Sequence, residues 1–94
     1  MPDYRPSWQY QERVWDHKAE DYKISWVDMS DLLTAWLDGL DEDVCENAEA
    51  IDYNNQHLKW IFNLKSCKQY RLEFKDGEWW TISERVIRRV LLPM

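Results

Sequence analysis

A chain of 94 residues with a net charge of −6 has room for one small domain with a thin core. Its seven Trp, five Tyr and two Phe supply too much apolar surface for intrinsic disorder. The acidic balance (pI ≈ 4.8) argues against a domain that holds nucleic acid by general basicity, and the absence of a long apolar run argues against a membrane-spanning helix.

Residues 1–10 read as an extended arm and 11–17 as a strand. Trp8, Tyr10 and Val14 have a period of two, although Trp8, Trp15, Ala19 and Tyr22 would fit a helix as well. Tyr22, Ile24 and Trp26 alternate with Lys23, Ser25 and Val27, so 21–27 reads as the return strand of a hairpin turning at Lys18-Ala19-Glu20-Asp21. Met29, Leu32, Leu33, Trp36, Leu37 and Leu40 follow at helical spacing and predict a helix over 29–38. Asp28 is its expected N-cap, Val27 and Leu32 a hydrophobic staple, and Gly39 a left-handed terminator. Val44, Ala48 and Ile51 suggest a short acidic helix over 42–50, closed by a turn at Asn54-Asn55.

From 57 to 82 the pattern is a β meander. Leu58, Trp60, Phe62 and Leu64 alternate with Lys59, Ile61 and Asn63, Lys65-Ser66-Cys67-Lys68 makes a turn, and Tyr70, Leu72 and Phe74 alternate with Arg71 and Glu73. A three-residue Lys75-Asp76-Gly77 loop would gather Tyr70, Leu72, Phe74, Trp80 and Ile82 on one face and leave Trp79 outside, beside Glu73 and Arg71. Thr81-Ile82-Ser83-Glu84 resembles a capping box, so 83–92 reads as a helix stopped by Pro93, with Arg85, Arg88 and Arg89 on its polar side. The expected architecture is a single α+β domain over 1–94. It has an antiparallel sheet of four or five strands and helices at about 29–38 and 83–92 packed on one face.

Charge is distributed unevenly. Residues 1–53 hold four bases against fourteen acids, and residues 54–94 hold eight bases against four acids. The densest stretch contains Asp38, Asp41, Glu42, Asp43, Glu46, Glu49 and Asp52 with no base among them. Such a block attracts basic partners, but it also suits a solvated face or one that neutralises the basic half of the same fold.

Catalytic chemistry has little to build on. Cys45, Cys67, His17 and His57 lack the close ligand pairs of a zinc site, so no metal is expected. Lys65 and Lys68 beside Cys67 would favour its thiolate slightly, whereas the acids around Cys45 disfavour that of Cys45. Two glycines cannot form a phosphate-cradling loop, and Asp41-Glu42-Asp43 lacks the ladder of a calcium loop. The reading is a non-enzyme without cofactor or small-molecule substrate, cytoplasmic, with free thiols.

The expected function is that of a small inhibitor or immunity-type protein. Its acidic surface would replace phosphates on a basic, nucleic-acid-handling surface of a partner protein, with Trp79 as the aromatic anchor. Its general composition is similar to that of small acidic phage-encoded inhibitors and toxin-neutralising proteins. Two other readings stand beside it. One is an adaptor subunit or homodimer joined through an aromatic sheet face. The other is a weak nucleic-acid binder using Arg85, Arg88 and Arg89.

Overall fold

The computed structural model describes residues 3–93. Its elements are β1 (Tyr4–Asp16), β2 (Asp21–Asp28), α1 (Asp31–Asp38), β3 (Ala48–Ile51), β4 (Leu58–Asn63), β5 (Lys68–Lys75) and β6 (Glu78–Pro93), with a single 3₁₀ turn at Glu42–Val44. Antiparallel sheet therefore dominates, with one α-helix. The chain gathers into two compact units. The first is built from the chain up to Gly39 together with the stretch from Ile87 onward; the second is Leu40–Val86.

In the first unit β1 pairs with β2 on one side and with the end of β6 on the other, from Tyr4 opposite Pro93 to Tyr10 opposite Ile87. The expected arm is thus mostly strand, because its backbone finds partners at the far end of the chain; Met1 and Pro2 lie outside the described residues. Trp8, Tyr10 and Ile87 share one face of this sheet. Met29 N–H donates to the Trp8 carbonyl at 2.9 Å, and the Trp8 N–H reaches Thr34 Oγ1 at 3.4 Å. Trp8, Met29, Thr34, Leu37 and Ile87 are buried together in this unit's interior. Full burial of a side chain such as Leu37 or Ile87 stabilises by about 1.5–3 kcal/mol.

The ends of α1 differ from expectation. Ser30 is the N-cap, its hydroxyl accepting from Leu33 N–H at 3.2 Å, because the Asp28 carboxylate is already engaged by Gln9 and Ser7. Gly39 sits at φ −93° and donates its N–H to Ala35 rather than adopting a left-handed turn. Leu32 is 84% exposed, so no staple forms and the buried stripe is narrower than the sequence suggests.

The second unit is a sheet in the order β3-β4-β5-β6, all antiparallel, with β3 at its edge. The expected helix over 42–50 is only the 3₁₀ turn; Ala48 to Ile51 instead pair with Phe62 to Lys59. Val44, Ala48 and Ile51 fit helical spacing, but β4 offers an open ladder of backbone groups. Phe62, Ala48 and Leu72 are the buried apolar residues here.

The β5–β6 connection is a two-residue turn at Asp76-Gly77, with φ 55° and 79°, and Lys75 faces Glu78. These values belong to the turn whose twist matches a hairpin. It places Phe74 opposite Trp79 and Glu73 opposite Trp80. Leu72 then faces Thr81 and Arg71 faces Ser83, so Ile82 is an unopposed bulge. The three-residue loop is therefore replaced by a tight turn plus a bulge, and Trp79 belongs to the face of Phe74, not that of Arg71 and Glu73.

The helix expected over 83–92 is strand throughout. Thr81, Ile82, Val86, Ile87 and Val90 are β-branched and suit a pleated surface, and both ends of this segment find partner strands. Thr81-Ile82-Ser83-Glu84 caps nothing. The described residues accordingly form six strands rather than four or five, and one α-helix rather than several.

Candidate functional site

The acidic block divides into carboxylates that are neutralised within the chain and carboxylates that are not. In the first unit Asp38 accepts from Arg89 Nε at 2.6 Å and Nη2 at 3.4 Å, and from the Trp8 indole at 3.3 Å. The Arg89 hydrogen bond, with a smaller contribution from its charge and the Trp8 indole, holds the Asp38 carboxyl below the ordinary carboxylate range. The same contact pushes Arg89 up. In the second unit Glu46 pairs with Lys65 at 3.2 Å and Glu49 with Lys59 at 3.3 Å. Asp52 accepts from the Asn54 N–H at 2.9 Å and shapes a turn.

Asp41, Glu42 and Asp43 remain. All three are exposed at the 3₁₀ turn, and among the described residues none has an ion-pair partner. The Cys45 thiol closes this turn by donating to the Asp41 carbonyl at 3.3 Å, and Leu64 N–H donates to the Cys45 carbonyl at 2.6 Å. The three carboxylates thus sit beside the β4–β5 turn.

Trp79 lies at the other end of the same sheet, next to the β5–β6 turn. It is 39% exposed, tilts against Phe74 with ring centroids 5.3 Å apart, and carries the Lys59 ammonium 4.4 Å above its ring. Asp52 follows β3 at that end, since Ile51 faces Lys59. The structure therefore brings Asp52 toward Trp79 and sets Asp41, Glu42 and Asp43 apart from it, with Glu46 and Glu49 along the β3 edge between.

Comparison with family models, curated proteins and solved structures returns no match.

The three arginines do not form the expected row. Strand alternation sends Arg88 and Arg89 to opposite faces of the first unit. Arg88 lies 4.0 Å above the Trp26 ring and donates to Gln9 Oε1 at 2.8 Å, while Gln9 Nε2 donates to Asp28 at 2.7 Å. Gln9 and then Ser7 hold the Asp28 carboxyl below its ordinary range. Arg13 over Tyr22, at 4.5 Å, and Trp15 edge-on to Tyr22, at 5.1 Å, continue this aromatic face. Arg85 lines a cavity of the second unit with Trp60, Gln69, Arg71 and Ser83. That cluster escaped the sequence reading, although the period of two at 69, 71 and at 83, 85 was visible. Alternate polar residues on a strand normally mean a solvated face.

Proposed function

We propose that the protein is a small binding module that inhibits or neutralises a partner protein. The unpaired carboxylates of Asp41, Glu42 and Asp43 engage a basic surface on that partner. The observation that supports this is the contrast within one acidic block. Asp38, Glu46 and Glu49 each have a cation of their own chain, and three consecutive exposed carboxylates have none among the described residues. Unneutralised charge at a tight turn speeds encounter with an oppositely charged surface and rejects acidic ones. The contact extends along the β3 edge toward Asp52, with Trp79 as its apolar end. A partner that handles nucleic acid fits, because its surface already binds a row of anions.

The test is a salt and variant series on partner captured from the native host. Asp41→Asn/Glu42→Gln/Asp43→Asn weakens the complex about tenfold at low salt, from roughly 0.2–1 kcal/mol per exposed charge. Raising salt from about 50 to about 500 mM removes that difference, because the Debye length contracts to a few ångströms. A complex equally tight in the triple variant, with its melting temperature unchanged, would discard the reading.

The adaptor or homodimer reading has one observation in its favour. The first unit exposes Trp15, Tyr22 and Ile24 on one sheet face, where monomers seldom leave aromatic clusters. Sedimentation shows a dimer lost in Trp15→Ser under that reading and a monomer throughout under the first.

A further inference from the structure

The face of the first-unit sheet turned away from α1 is built differently from the acidic turn. Its composition follows from the hairpin register. Residues directly opposite in β1 and β2 share a face, so Gln11 with Trp26, Arg13 with Ile24 and Trp15 with Tyr22 lie on one side. Three of the four acids in these strands, Glu12, Asp16 and Asp21, project from the other side together with Lys23. The fourth, Asp28, is on the first side, where Gln9 and Ser7 already hold it. A chain of net charge −6 thereby presents a cationic strip along one sheet face.

The cations of that strip are layered on rings. Arg13 lies 4.5 Å above Tyr22 and Arg88 4.0 Å above Trp26, and among the described residues neither has a carboxylate partner. Nucleobases stack on aromatic rings and on guanidinium planes alike, and a guanidinium also pairs with phosphate. Trp15 adds a further exposed ring, set edge-on to Tyr22 and steadied by its indole N–H, which donates to His17 Nδ1 at 3.2 Å. Tyr22 and Trp26 stand about 13 Å apart along β2, too far for one base to touch both, so the occupant is a run of nucleotides.

Other occupants fit less well. From Gln9 to Tyr10, β1 has a backbone partner on each side, so an added strand finds no ladder there. An acidic peptide answers the arginines and leaves the rings unmet. A second copy seated on the same face brings Arg13 and Arg88 toward their own counterparts with no unengaged acid between them, which like charge disfavours.

We propose that this face binds single-stranded nucleic acid. Bases stack on Trp15, on Tyr22 with Arg13 and on Trp26 with Arg88, and the two arginines take the phosphates. The proposal is independent of the acidic turn and of a row of Arg85, Arg88 and Arg89, which the strand does not form.

The experiment titrates the full chain, at about 50 mM salt, into labelled oligo-dT and oligo-rU of about twelve nucleotides and reads fluorescence anisotropy. Binding saturates below about 1 mM protein with one or both, and the tighter of the two identifies the sugar. A duplex of equal length, whose bases are stacked inside, and poly-glutamate, which carries charge without rings, bind at least about tenfold more weakly. Trp15→Ala weakens the complex about fivefold or more, and Arg13→Glu about tenfold. Lys23→Glu makes the same change of charge on the opposite face, also at an exposed residue, and leaves the affinity within about threefold. No saturation up to about 1 mM would overturn the proposal. So would duplex or poly-glutamate binding as tightly as the single strands, or Lys23→Glu costing as much as Arg13→Glu. A dimer lost in Trp15→Ser and not dissociated by oligonucleotide would overturn it too, giving the face to a second copy.

Discussion

Replacing Asp38 separates two contributions that meet on one carboxylate. Asp38 binds Arg89 through two hydrogen bonds and accepts from the indole of Trp8, which is only 7% exposed. A hydrogen bond to a charged group contributes about 1.5–3 kcal/mol when shielded. The Arg89 and Asp38 side chains are 44% and 28% exposed, so solvent screening brings their pair to about 1 kcal/mol. Leaving the buried Trp8 N–H without an acceptor costs a further 1–3 kcal/mol or so. Asp38→Ala removes both partners and destabilises by about 2–4 kcal/mol; Asp38→Asn keeps an oxygen for Trp8 and loses about 1 kcal/mol.

Urea unfolding followed by tryptophan fluorescence measures both. The difference between the parent chain and Asp38→Asn also has a sign in pH. Since Arg89 holds the folded carboxyl below its unfolded value of about 3.9, the stabilisation is complete above that value. It disappears as pH falls through the lowered one. If Asp38→Ala and Asp38→Asn unfold at the same urea concentration, the indole is not held by this carboxylate and the reasoning fails.

Gly77→Ala should lower stability by about 1 kcal/mol, read as a drop in melting temperature. The added Cβ has open space, but φ of 79° strains any L-residue with a side chain. Gln9→Leu removes the first donor to Asp28, so the Asp28 pKa measured by NMR should rise toward the ordinary carboxylate value. The part of the acid stability that Asp28 supplies is present above its unfolded pKa and lost as pH falls through the lowered folded one; in Gln9→Leu it should shrink. An Asp28 titration unchanged by Gln9→Leu would show that Ser7 alone sets it.

Local pattern located α1, the first hairpin and the meander over 57–82, because each is recorded in neighbouring residues. The interior rhythm of α1 was readable, whereas its cap was not. Asp28 is the better capping residue by type, but its carboxylate is bound to Gln9 and Ser7 on another strand. The last strand was misread as helix because Val86, Ile87, Val90 and Leu91 satisfy a period of 3.6 nearly as well as one of 2. What decides the matter is the ladder with β1, whose residues stand some eighty positions earlier. The acidic block shows the same limit. Its signs could be counted from the sequence, but the pairing of Asp38 with Arg89, Glu46 with Lys65 and Glu49 with Lys59 is set by tertiary register. The cavity lined by Trp60, Gln69, Arg71, Ser83 and Arg85 arises from two cross-strand pairs, Arg71 with Ser83 and Gln69 with Arg85, whose members lie twelve and sixteen positions apart, beyond a short local window.

The pairing of Tyr4–Tyr10 with Ile87–Pro93 fixes an order of assembly on the ribosome. Leu40–Val86 is continuous, and its meander can zip up hairpin by hairpin as it emerges. The N-terminal hairpin can form early too, but the backbone of β1 on its other side waits for Ile87–Pro93 to be translated, a loop closure across some eighty residues. Until then it is an open strand able to recruit a neighbouring nascent chain. Slowing or stopping translation shortly before Ile87 would prolong that interval and favour aggregation over release.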